Sequence, residues 1–123
     1  MSDKPVAKRL QVKAHRTLAV IGAPAGVDRK IGAEKVRSAS AQAHVVLLFV
    51  HDRAAFHSSL PETLKKIPKE SILWIAYPKL SSKLARDLSR DIIHALAPKH
   101  GLDTVSQIAI DDDWSALRLN RVR

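Results

Sequence analysis

Three uninterrupted apolar runs divide the chain: "TLAVIG" at 17–22, "HVVLLFV" at 44–50 and "SILWIAY" at 71–77. The first stops at Gly22, with Pro24 and Gly26 behind it, and reads as a strand entering a turn. The other two carry no polar alternation, which predicts central strands of a parallel sheet covered on both faces. Between them Asp52 is placed to cap a helix. Phe56, Leu60, Leu64 and Ile67 then recur on one helical face. Pro61 interrupts that face. Because proline fits best in a first helical turn, the pattern predicts one helix over 52–59 and another over 61–67.

The flanking segments complete the pattern. "GVDRKIG" at 26–32 supplies a turn or two of helix, and "AEKVRSA" at 33–39 alternates weakly, as an edge strand would. Leu84, Leu88, Ile92 and Leu96 step by four, predicting a helix whose second part Ser89 caps and which Pro98 and Gly101 end. "DTVSQIAI" and "WSALRLNRV" alternate as strands and are joined by a tight Asp-Asp-Asp turn, as in a hairpin. The expected order is β, α, β, β, α, β, α, β, β. That order describes a single three-layer α/β open sheet, mostly parallel, with a C-terminal antiparallel hairpin.

From about Leu10 onward, the pieces "VIGAPAG" (20–26), "VVLLFVHDRA" (45–54), "LWIAYPK" (73–79), Gly101-Leu102 and "DDDWSALRL" (111–119) occur in a recognisable order and spacing. The chain resembles a family of small bacterial domain-of-unknown-function proteins with a truncated class I methyltransferase-like, Rossmann-like fold. The resemblance implies the fold, and the family has no agreed activity to transfer. Compared with a full class I methyltransferase, a helix-strand-helix piece is missing between residues 38 and 44. The expected organisation is a basic N-terminal arm over 1–16 followed by the truncated domain over 17–123.

Composition narrows the function classes. The chain has 123 residues, 46 % apolar and 27 % charged, the mixture of one globular domain rather than of a disordered chain. Cysteine is absent, which excludes disulfides, a thiolate nucleophile and cysteine-type zinc sites and fits the cytoplasm. The apolar runs are too short to cross a bilayer and no apolar segment follows the basic N-terminus, so a soluble, cytoplasmic protein without membrane contact is expected. The formal charge is +9. Lys4, Lys8, Arg9, Lys13 and Arg16 against Asp3 give the first sixteen residues +4, and Arg118, Arg121 and Arg123 add three more. Such a field favours polyanions, nucleic acid among them.

The candidate chemistry begins at Gly22 and Gly26. An adenosyl-cofactor site needs close backbone approach, free amides and an acid at the end of the next strand for the ribose. Here Ala23, Pro24 and Ala25 separate the glycines, and "SASAQA" at 38–43 contains no acid. Asp52 follows a central strand and is a candidate cofactor or base position as well as a helix cap. Lys79, at the carboxyl end of a central strand, is the leading ligand-binding residue, with Arg118 beside it as a second candidate. His51, His57, His94 and His100 lack the spacing of a metal helix, so no metal is expected. The three aspartates at 111–113 read as turn residues rather than a magnesium site. Trp114 and Arg118 lie four apart on one strand face, where a cation-π pair is possible.

The leading expectation is a non-catalytic or degenerate methyltransferase-like domain that binds a partner or an anionic ligand, with no cofactor. Two alternatives stand beside it: an S-adenosylmethionine-dependent methyltransferase, and a nucleic-acid-binding accessory protein that uses the basic arm.

Overall fold

A computed structural model describes residues 5–13 and 15–122. Five strands, β1 (Leu18–Ile21), β2 (Val45–Phe49), β3 (Ile72–Pro78), β4 (Leu102–Ala109) and β5 (Trp114–Arg121), form one sheet in the order β1-β2-β3-β5-β4. Strands β1, β2 and β3 are mutually parallel, whereas β5 runs antiparallel to both β3 and β4. Four strands therefore share a direction and only β5 opposes them.

The apolar run of β2 is buried throughout because successive side chains enter two different cores. Val46 and Leu48 join Leu73, Ile75 and Leu117 under α3 (Arg53–Lys66) and α4 (Arg90–Leu96), which contribute Phe56, Leu60 and Ile93. Val45, Leu47 and Phe49 face the other way, with Trp74, Trp114 and Ala116. That face is covered by α1 (Val6–Arg9) and α2 (Val27–Ile31) through Val6, Val27 and Ile31, together with Leu10 just after α1. The result is the expected three-layer arrangement with a C-terminal antiparallel hairpin.

Four local expectations are corrected. Helix α3 is continuous from Arg53 to Lys66 with Pro61 inside it, not two helices. Phe56 and Leu60, before Pro61, and Thr63, after it, are buried on one face, and this packing holds both halves in line. The segment 33–39 is not a strand. It forms a 3-10 turn at Glu34–Val36, and Arg37 makes a single parallel bridge to Leu18. Residues 84–88 are not helical either, because the chain is extended at Ser89, which caps α4 by accepting from the Ile92 amide.

The fourth correction concerns the N-terminus. Within the segment expected as a basic arm over 1–16, α1 and Leu10 pack against the sheet. Val6 and Leu10 are buried, and the Trp74 indole donates to the Leu10 carbonyl at 2.9 Å. Lys4 lies outside the described residues.

Candidate functional site

The carboxyl end of β3 opens into a cavity of about 670 Å³. Lys79 reaches it from the residue after β3, and Arg90 from the first position of α4. Tyr77 and Ser115 are paired across β3 and β5 and are buried, and both hydroxyl-bearing residues line the cavity wall. Gln107 and Ser81 add further polar groups, while Leu80, Ile108 and Ala109 give an apolar side. Among the described residues, no carboxylate lines the cavity. Asp91, beside the cavity, approaches Arg90 at 3.5 Å, but both side chains are mostly in water, where such a pair contributes little.

The local sequence builds this wall from three connections. The Lys79 amide donates to the Asp113 carbonyl at 2.8 Å, and the Ser82 hydroxyl donates to the Asp113 carboxylate at 2.7 Å, so the hairpin turn anchors the loop after β3. Asp87 accepts from the Arg53 amide at 2.9 Å and ties the far end of the loop to α3. Ser89 then starts α4 and sets Arg90 over the strand ends. Burial pushes the Tyr77 hydroxyl pKa up. Arg90 and the neighbouring Ser115 side chain oppose the shift without cancelling it, so the phenol stays neutral and is available to hydrogen-bond an anion.

Lys79 and Arg118, the two expected ligand contacts, are not brought together. Pro78 pairs with Trp114 but Trp74 pairs with Arg118, so Arg118 lies about 13 Å along β5 from the end nearest Lys79. It lines a different cavity with Lys69, Glu70 and Arg121, and its Nε atom is buried without a partner. The same spacing separates Arg118 from Trp114, whose ring instead meets Phe49 and His51 edge-on at 5.0 and 5.4 Å. Arg90, Tyr77, Gln107 and Ser115 escaped the sequence reading. The available signal was Arg90 directly behind a capping serine after a central strand.

The glycine turn departs from the usual pattern of an adenosyl-cofactor site. Gly22 has φ +74°, a conformation that favours glycine whatever the surroundings, so the turn itself explains the residue. Gly26 has φ +88° and caps α2, a helix of only five residues. The Val27 amide is already bonded to the Pro24 carbonyl at 3.2 Å. On the outer edge of β1, Arg37 bridges Leu18 at the amino end of the strand and is itself bound to Asp28 at 2.9 Å and to the Gly32 carbonyl at 2.8 Å.

The remaining candidates are engaged structurally. Asp52 caps α3 by accepting from the Ala55 amide at 2.8 Å. Asp111 accepts from the Asp113 and Trp114 amides and pairs with Lys30 at 3.1 Å. Desolvation raises its pKa, but these partners outweigh that effect and hold the carboxyl below the ordinary aspartate range. His57 and His100, 43 residues apart in sequence, meet beside Phe56 with His57 Nδ1 3.0 Å from His100 Nε2, a pairing the sequence pattern does not show. Among the described residues, no three histidine or acidic side chains converge as metal ligands, and no helix is long and apolar enough to cross a membrane.

No protein-family model and no curated protein sequence matches this chain. Solved structures share its fold. The ribosomal protein L11 methylase from Lactobacillus delbrueckii subsp. bulgaricus superposes with a TM-score of 0.58 at 11 % identity, over 95 % of this chain and 75 % of that one. The B. subtilis M1A22 tRNA methyltransferase TrmK gives 0.55 at 10 % identity, over 98 % of this chain and 66 % of that one. The fibrillarin pre-rRNA processing protein of Methanococcus jannaschii gives 0.55 at 14 % identity, over 98 % and 70 %. The fold is methyltransferase-like, on a chain shorter than each of these neighbours.

Proposed function

We propose that this protein is a binding domain for a small anionic ligand, built on a methyltransferase-like sheet whose cofactor turn has become structural. The observation that carries this reading is the convergence of Lys79 and Arg90, from separate elements, on one cavity that no acid among the described residues lines. The buried Tyr77–Ser115 pair and Gln107 add hydrogen-bonding groups for the anion's oxygens. Open α/β sheets bind ligands beyond the carboxyl ends of their strands, which is where this cavity lies. The basic residues Lys8, Arg9, Lys13 and Arg16 would act at longer range, raising the rate of encounter with anions. A scaffold shortened from a methyltransferase is also what the resemblance of the sequence to a bacterial domain-of-unknown-function family would imply.

The test is a titration with inorganic phosphate followed by amide chemical shifts. Saturable shifts are expected at Lys79, Arg90 and Ser115, weakened in Lys79→Ala and again in Arg90→Ala. Absence of saturable shifts there would overturn the reading.

A second reading, an S-adenosylmethionine-dependent methyltransferase, is favoured by the fold of the structural neighbours and opposed by the Ala-Pro-Ala turn. It is tested by the thermal midpoint with excess cofactor. A ligand at a hundred times its dissociation constant stabilises by about 2.7 kcal/mol, which raises the midpoint of a domain this size by several degrees. The anion-binding reading expects no rise, and a clear one would restore the enzyme.

A further inference from the structure

The anion-binding reading leaves open what the anion is attached to, and the walls of the cavity supply that information. Leu80 is 72 % exposed, the highest value among the exposed large apolar side chains of the described residues. Its exposure is not that of a loose end. The Lys79 amide, the Ser82 hydroxyl and Asp87 are all hydrogen-bonded to neighbouring elements, so the loop holds this leucine in water at the edge of the cavity. Ile108 and Ala109, from β4, line the same cavity. The space thus has two cations, a set of hydroxyl and amide groups, and apolar side chains from two separate elements.

We infer that, resting on the anion-binding reading above, the ligand of this cavity is a phosphate monoester carried on an apolar body. The phosphate carries about −1.5 to −2 charge at neutral pH, which two cations match, and an arginine can meet its oxygens through two parallel N–H groups. Leu80, Ile108 and Ala109 take the apolar body, whose contact removes the leucine from water. An inorganic ion leaves that contact unmade. A highly hydroxylated ester places polar groups against it. The ester can be a soluble metabolite or the headgroup of a phosphatidic acid, and both present the same chemistry to Lys79 and Arg90.

The experiment compares phenyl phosphate with inorganic phosphate at constant ionic strength, by amide shifts, on the wild type, Leu80→Ser and Arg90→Ala. Apolar contact with the ring should make phenyl phosphate at least about tenfold the tighter ligand. Leu80→Ser should reduce that advantage severalfold while leaving the thermal midpoint unchanged. Arg90→Ala should weaken both ligands. Equal affinities for the two probes, or an advantage that Leu80→Ser leaves intact, would overturn this inference while preserving the anion site. No binding of either probe overturns the anion-binding reading itself.

Co-sedimentation with phosphatidylcholine vesicles, with and without phosphatidic acid, separates the sources. Capture only by the phosphatidic acid vesicles, competed by phenyl phosphate and lost in Leu80→Ser, identifies the headgroup. Phenyl phosphate binding without vesicle capture identifies a soluble ester.

Discussion

His100 shows how one side chain acquires a property from a distant neighbour. Burial lowers its pKa, and the nearby charges of His57 and Lys99 add to the shift. A base with a depressed folded pKa binds fewer protons in the native state than in the unfolded chain over that interval, so stability increases with pH there. The contribution is fully present above the ordinary histidine value and is lost as pH falls through the depressed one. The thermal midpoint should therefore fall between about pH 7 and 5, and His100→Asn should flatten that slope. An unchanged slope in the variant would separate the acid response from this pair. Asp52 shows the opposite lesson: a carboxylate at the end of a central strand is fully used as a helix cap. Asp52→Ala should cost about 1 kcal/mol of stability and leave phosphate binding intact, as measured by urea unfolding and the same amide titration.

Among the helices, α3 carries a local conflict that its packing resolves. Pro61 sits well inside the helix, where proline removes a backbone hydrogen bond and crowds the preceding turn at a cost of about 3 kcal/mol. Phe56, Leu60 and the packed Leu64 hold the helix to the sheet on both sides of it. Pro61→Ala should then raise the urea midpoint, with a gain of about 1–3 kcal/mol once the lost rigidity of the unfolded chain is offset. The short α1 behaves differently, because it has too few residues to be stable alone and depends on its docking. Leu10→Ala should destabilise the protein by about 2–5 kcal/mol, and Trp74 fluorescence should report the loosened contact in the same unfolding experiment. A near-neutral effect would mean that this segment is not held as the structure places it.

Over the protein as a whole, charge and fold make separate contributions. A formal charge of +9 produces attraction for any polyanion, and such binding falls steeply as salt releases the counterion advantage. Retention on single-stranded RNA should therefore drop sharply with added salt and be nearly the same for Lys79→Ala. Phosphate binding at the cavity should depend strongly on that residue. Salt-resistant RNA binding would favour the nucleic-acid alternative instead. The methyltransferase-like fold, shared with neighbours at 10–14 % identity, fixes where a ligand site can open without deciding what fills it.

The amino-acid order by itself determined the five strands of the sheet, though it also suggested a sixth at 33–39 that does not form, together with the two-faced burial of β2 and β3, the caps at Asp52 and Ser89, and the terminal hairpin. Each of these follows from periodicity or from chemistry within a few residues, which the geometry of a strand or helix projects directly onto a face. The expectation that Lys79 faces a ligand also came from such a rule, through its place after a central strand. Only the tertiary structure decided that its companion is Arg90 rather than Arg118. That outcome depends on the register of β5 against β3 and on where the chain turns back into α4. The same holds for His57 beside His100, for Leu10 beneath Trp74 and for the uninterrupted α3. In each case packing between distant segments outweighed the local signal, because burial energy is summed over the whole core whereas propensity acts one residue at a time.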